Sequence, residues 1–170
     1  MTDHLTSGAW AEDWVLDPGR SSVRFRSASM WGLVKVTGQF ANLRGEGSLG
    51  RDGGATGTLV IEVSSIDTGN KRRDKHLRSD DFFHAATHPE ITYSVSGITP
   101  DGPGGVRVTG ELSILDHVHP LELTAALDEA DLTGAALVAE VELDQATWGI
   151  VSKMINKTTR VEARLRFTRP

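Results

Sequence analysis

"TGTLVIEVSSIDTGNKRRDKHLRSDDFF", Thr56 to Phe83, changes its period in mid-course. Up to Val63 the apolar residues alternate, with Leu59, Ile61 and Val63 on one face, which is the two-residue period of a strand. From Ser65 the alternation stops, and no β-branched run follows Thr68. Asn70 to Phe83 contain good helix formers, and Ser79 is placed to cap a second short turn over Asp80 and Asp81. The stretch predicts a strand, the fourth in the chain, followed by one or two short helical turns. Phe82 and Phe83 are expected to tuck inward as an apolar plug.

Strand pattern surrounds this stretch on both sides. "WVLDPGRSSVRFRSAS" turns at Asp17-Pro18-Gly19, where proline presets φ and glycine frees the backbone. Beyond the turn Val23 and Phe25 alternate with Arg24 and Arg26. In "LVKVTGQF", Val34, Val36 and Phe40 share a face with Gly38, a glycine that either bends the strand or leaves room inside. "RGEGSLG" reads as a short glycine-rich strand, and the Asp-Gly in "RDGGA" as a hairpin turn. "HPEITYSVSGI", "VRVTGELSIL", "HPLELTAAL" and "ALVAEVELD" continue the alternation, separated by "DGPGG" and "DEADLTG". "QATWGIVSKMINK" interrupts it, and "TTRVEARLRFT" closes the chain with Val161, Ala163, Leu165 and Phe167 opposite Arg160, Glu162, Arg164 and Arg166. Eight or nine strands joined mostly by short turns make an antiparallel meander. A sheet of that many twisted strands curls, splits into a sandwich, or closes into a barrel.

Composition removes several classes of function. The 170 residues suit a single domain with one sizeable core. We divide the chain into a flexible leader over residues 1–13 and one β-barrel domain over 14–170. A net charge of −5 argues against a nucleic-acid binder, which needs a broad basic surface. The absence of cysteine excludes disulfides, thiolate metal sites and cysteine nucleophiles. The first residues, "MTDHLTSGAWAEDW", carry acids and lack the apolar run of ~7–15 residues of a signal peptide. No stretch reaches the ~20 apolar residues of a membrane span. A cytoplasmic location and no transmembrane segment are the expectation.

From Ser64 to Phe83 five bases, Lys71, Arg72, Arg73, Lys75 and Arg78, stand against four acids, Asp67, Asp74, Asp80 and Asp81. One reading is a solvated, self-paired loop that fixes the plug, since surface pairs are common and weak. The other is that two or three bases meet a phosphate-bearing head group, for which the arginine fork is suited.

The run "SIDTGNKRRDKHLRSDDFF" followed by "HPEITYSV" resembles the YceI-like family, described as lipocalin-like and polyisoprenoid-binding. "WVLDPGRSSVRF", "WGLVKVTGQF" and "VTGELSIL" with "HPLEL" are similar to its other strands, so the resemblance covers Trp14 to Phe167. It implies an all-β, eight-stranded antiparallel lipocalin-like barrel whose interior is an apolar tunnel. It also implies a long isoprenoid, isoprenoid quinone or similar amphiphile in that tunnel, for transport or storage, with no catalytic chemistry and no cofactor beyond the bound lipid. On such a barrel the inward positions are Val34, Val36, Phe40, Leu59, Ile61, Phe82, Tyr93 and Trp148, with Trp31 and Met154 at the mouth. Arg72, Arg73, Lys75 and Arg78 are the candidates for the head group. The resemblance allows a homodimer, and no residue pattern locates an interface. Against the family pattern, Met30 and Trp31 stand where a histidine is common, and Gln145 where an arginine is common.

Three rival readings are weaker. His84 and His88 share a helical face in principle, with His76, Asp80 and Asp81 nearby, but Pro89 disfavours helix there. His117 and His119, two apart beside a turn, read as surface residues, so no metal site is expected. Ser64, Ser65, Asp67 and His76 do not form a nucleophile elbow, and no catalytic residue is assigned. The third rival is a barrel whose core is filled by its own side chains and which acts as a stress-related interaction module.

Overall fold

The computed structural model describes residues 12–29, 34–50, 54–130, 134–151 and 155–169. The strands in chain order are β1 (Glu12–Leu16), β2 (Ser22–Ser29), β3 (Val34–Phe40), β4 (Leu43–Leu49), β5 (Ala55–Glu62) and β6 (Ile66–Asp67). Helix α1 (Lys71–Leu77) follows, and then β7 (Glu90–Pro100), β8 (Gly105–Ile114), β9 (His117–Ala130), β10 (Gly134–Asp144) and β11 (Ile155–Thr168). Every pairing is antiparallel.

Six of the eleven strand segments are halves of longer strands. Pro18–Arg20 forms one 3-10 turn, with the Asp17 carboxylate accepting from the Gly19 N–H at 3.1 Å. The chain then resumes its course, so that β1 and β2 both run along β11, Leu16 opposite Phe167 and Phe25 opposite Val161. β3 and β4 bend at Ala41-Asn42 and pair with β2 and β1 in turn. β5 and β6 are separated by the 3-10 turn Val63–Ser65 and pair with β4 and β3. The result is a closed antiparallel barrel of eight strands, as the resemblance implied. Closure satisfies the outer edges of what would otherwise be an open sheet. The sequence reading separates Val34–Phe40 from the glycine-rich run after it as two strands. They are one bent strand, so α1 follows the third strand of the barrel.

β1 begins at Glu12, two residues before Trp14. Residues 1–11 of the expected leader lie outside the described residues, as do Trp31, Met154 and the Asp-Gly turn at 51–53. Among the described residues no helix is long and apolar enough to cross a membrane.

Up-and-down topology sorts the connections. Residues 68–89, 115–116 and 145–151 lie at one end of the barrel, and 101–104 at the other with the start of β1 and the end of β11. At that second end Leu16 is buried, with Leu137, Leu165 and Phe167 packed against the core. The first end is built differently.

Candidate functional site

Helix α1 exists because Asn70 caps it. The Asn70 Oδ1 accepts from the Arg73 N–H at 3.0 Å, and the Asn70 carbonyl accepts from the Asp74 N–H. The helical period then sorts the charges. Arg73, His76 and Leu77, at i, i+3 and i+4, line a cavity beneath the helix, while Lys71, Arg72 and Lys75 are exposed on its outer side. The chain leaves α1 through a tight reversal in which the Ser79 carbonyl accepts from the N–H groups of Phe82 and His84. The Ser79 hydroxyl donates back to the His76 carbonyl at 2.5 Å. Ser79 therefore ends the first helix rather than capping a second, because its hydroxyl is used upstream.

That reversal carries Phe82 and Phe83 into the barrel, where both line the cavity. Phe82 is buried and meets the His76 ring edge to face at 5.0 Å. Phe83 meets Phe40 in the same manner at 6.1 Å. Phe25 and Phe40 extend the cluster, with ring centroids 5.6 Å apart. The Phe25 ring fits because Gly38 lies opposite: a Cβ there would come within 2.5 Å of it. Gly38 thus leaves room for an aromatic ring of the wall.

The cavity beneath α1 has a volume of about 350 Å³ and an almost wholly apolar wall. β2, β3, β5 and β7 to β11 all contribute to it, whereas β1 and β4 contribute nothing. It therefore occupies the α1 end of the barrel. Of the positions assigned inward from sequence, Val36, Phe40, Leu59 and Ile61 line it. Phe82, Tyr93 and Trp148 do so as well. Val34 belongs to β3, and its side chain is outside the described residues along with those of Trp31 and Met154.

The candidate head-group bases separate. Arg73 reaches the cavity wall, but its Nε donates to Thr68 Oγ1 at 2.9 Å and its Nη2 to the Thr68 carbonyl at 3.2 Å. Arg72 and Lys75 are exposed, Arg78 is half-buried, and none of the three belongs to the lining. The sequence shows five bases in a row of eight residues, and only the phase of a helix that starts at Asn70 tells them apart.

Polar groups in the wall are few and mostly satisfied. The Tyr93 hydroxyl crosses over β8 at Gly110 and donates to the Leu121 carbonyl at 2.7 Å. Burial pushes the Tyr93 phenol up to about 12, with the Glu122 carboxylate adding to the effect. Trp148 sits in the 3-10 turn Gln145–Trp148 and donates from Nε1 to the Leu112 carbonyl at 2.8 Å. The turn is set by Asp144, whose carboxylate accepts from the Ala146 N–H, and it ends at Gly149 with φ of 85°. Ser27, Thr159 and Gln145 are polar lining residues that the sequence reading left out of the tunnel, as it left out apolar ones such as Val23, Ile91 and Leu112. Ser27 and Thr159 hydroxyl oxygens are 2.7 Å apart, and Thr159 donates to Gln145 Oε1 at 2.5 Å. Ser27 and Thr159 are 132 residues apart in the chain, so no local pattern announces them. Their serine and threonine do stand at inward phase in strands whose other inward residues are apolar, and that was the available signal.

His84 and His88 lie with ring centroids 5.8 Å apart, and His88 pairs with Asp116 at 3.2 Å. His119 packs edge to face on Trp148. Among the described residues no group of three or more His, Asp or Glu side chains is arranged to hold a metal ion.

Comparison with known proteins places this geometry in a family. The model of the YceI-like domain matches residues 14–167. A UPF0312 protein of Vibrio parahaemolyticus is 30% identical over 135 residues, 77% of this chain and 68% of that protein. A UPF0312 protein of Shewanella denitrificans is 31% identical over 125 residues, covering 71% of this chain and 65% of its own length. Among solved structures, Burkholderia cenocepacia BcnA superposes with a TM-score of 0.80 at 19% identity, over 89% of this chain and 98% of its own. A polyisoprenoid binding domain from Saccharophagus degradans, implicated in plant cell wall breakdown, superposes with a TM-score of 0.77 at 20% identity, over 92% and 98%. At these identities the structural likeness is one of fold.

Proposed function

Since the chain belongs to the YceI-like family, we propose that it binds an amphiphile with a long apolar chain inside its barrel, without catalysis, for transport or storage. A polyisoprenoid, an isoprenoid quinone or a similar lipid fits the reading. The observation that carries it is the apolar cavity of about 350 Å³ under α1. A ligand chain lying against this wall is stabilised by about 0.8 kcal/mol per buried CH₂. The fold neighbour described as polyisoprenoid-binding supports the same reading. The cavity also weighs against the self-filled interaction module, whose core would leave no such space.

Capacity sets a further expectation. An apolar cavity of about 150 Å³ holds benzene, so in proportion this one holds roughly 14 carbons. A longer polyprenyl chain would need to extend beyond it. Arg73 is the one proposed head-group base at the cavity wall; Arg72, Lys75 and Arg78 would act only on a head group outside it.

Native mass spectrometry of gently purified protein, followed by organic extraction, tests the reading. A discrete adduct that releases a lipid is the expected result. An empty protein that also takes up no added prenyl lipid would refute it.

A further inference from the structure

The cavity wall holds a neutral donor that has no acceptor among the described residues. Gln145 is 8% exposed and lines the cavity. Its Oε1 accepts from Thr159, whose single hydroxyl proton is thereby used. Ser27, 9% exposed and also in the lining, must then donate to Thr159 across their 2.7 Å separation. The chain of hydrogen bonds runs Ser27 to Thr159 to Gln145 and ends on the Gln145 Nε2 amide, for which no partner exists among the described residues. Tyr93 and Trp148, also in the wall, are occupied by main-chain carbonyls, and His76 Nε2 meets the Asp81 carboxylate at 3.1 Å. A buried amide left without an acceptor costs free energy, and the buried polar groups of a folded protein are almost always paired.

Building on the lipid-binding reading, we infer that Gln145 selects a ligand bearing a neutral carbonyl oxygen at this depth of the cavity, as in a quinone, aldehyde, ester or carboxamide. Three observations favour that class. The free group is a donor, so it takes an acceptor. Thr159 fixes the carboxamide from one side and Ser27 fixes Thr159, so the donor is held in place before the ligand arrives. The wall around it is almost wholly apolar, with Arg73 the single lysine or arginine of the lining, so a doubly charged phosphate would lose most of its hydration on entering. Gln145 is on this account a specificity-determining residue, and Thr159 and Ser27 are positioning residues.

Four compounds with one C15 tail, farnesene, farnesol, farnesal and farnesyl diphosphate, separate the outcomes on the delipidated 170-residue chain. Farnesal is expected to bind about tenfold more tightly than farnesene, the worth of one well-placed hydrogen bond. Gln145→Met, which keeps the volume and removes the amide, should bring that ratio to within about twofold. Thr159→Val, which unties the carboxamide without touching it, should lower the ratio by roughly threefold and serves as the second variant if Gln145→Met fails to fold. Equal binding of farnesal and farnesene by the wild type, or a preference that survives both substitutions, would overturn the assignment and leave lipid binding intact. A wild-type preference for farnesol or for farnesyl diphosphate over farnesal would overturn it too, by showing that a carbonyl oxygen is not the group selected. Failure of all four to bind the wild type would bring down the lipid-binding reading itself.

Discussion

Asp74 holds Thr68 by two hydrogen bonds to one oxygen. Its Oδ1 accepts from the Thr68 N–H at 2.9 Å and from the Thr68 hydroxyl at 2.5 Å. Asp74 is buried, and Arg73 donates to the same threonine from the cavity side. This clamp fastens the N-terminal end of α1 to the end of β6, and so fixes the roof of the cavity.

Asp74→Ala should therefore destabilise the protein by about 1–2 kcal/mol, since it strands two part-buried donors of Thr68. Asp74→Asn keeps an oxygen in place and should cost about half as much. Urea denaturation followed by circular dichroism measures both. Equal losses for the two variants would mean that packing, rather than hydrogen bonding, carries the effect.

Val36 lines the cavity from β3, opposite Ser27 in the register. Val36→Trp places an indole in the space assigned to the ligand. The variant should keep its β-sheet circular dichroism and lose its lipid load in native mass spectra. A wild-type load would show that Val36 does not face the bound chain.

Tyr93 is the single tyrosine of the chain, so its ionisation can be read directly by ultraviolet absorbance. Burial raises its phenol from the ordinary 10.0 to about 12 in the folded protein. The unfolded chain then loses this proton first as the pH rises. The contribution to stability is complete below pH 10.0 and is lost as the pH climbs toward about 12. A native titration midpoint near the ordinary value would contradict the burial of the hydroxyl against Leu121.

Gly149 ends the turn that carries Gln145 and Trp148, at φ of 85°, with the His117 ring close by. A Cβ at this position would lie 2.8 Å from His117 Nε2. Gly149→Ala should cost roughly 1–2 kcal/mol from the left-handed backbone alone. His117 is exposed and can swing away. Adding His117→Ala should thus recover only the contact part of the loss, as a double-mutant cycle of thermal unfolding would measure. Full recovery would show that the backbone at 149 is unstrained by a side chain.

Local pattern carried most of the architecture. Val161 and Ala163 face the cavity while Arg160 and Arg164 are exposed, as the period of two requires, because alternate residues of a strand point to opposite faces. The Asp17-Pro18-Gly19 turn was legible for a similar local reason, although the sequence did not say that the chain would continue beyond it along the same neighbour. Val34–Phe40 and Leu43–Leu49 read as two strands since the break at Ala41-Asn42 looks like any other turn. Only their shared pairing with the β1 and β2 segments makes them one.

The sequence by itself determined the alternating strands, the helical interruption with its two inward phenylalanines, and the family. These follow from nearest-neighbour constraints: backbone period, turn chemistry and a charged connection of distinctive order. Tertiary structure alone decided that β11 closes on β1 and β2, that Arg73 and not Arg72 or Lys75 reaches the cavity, and that Ser27, Thr159 and Gln145 form one chain inside it. Each of those depends on the angle at which a strand or helix meets elements far away in sequence, and that angle is set by packing around the whole barrel.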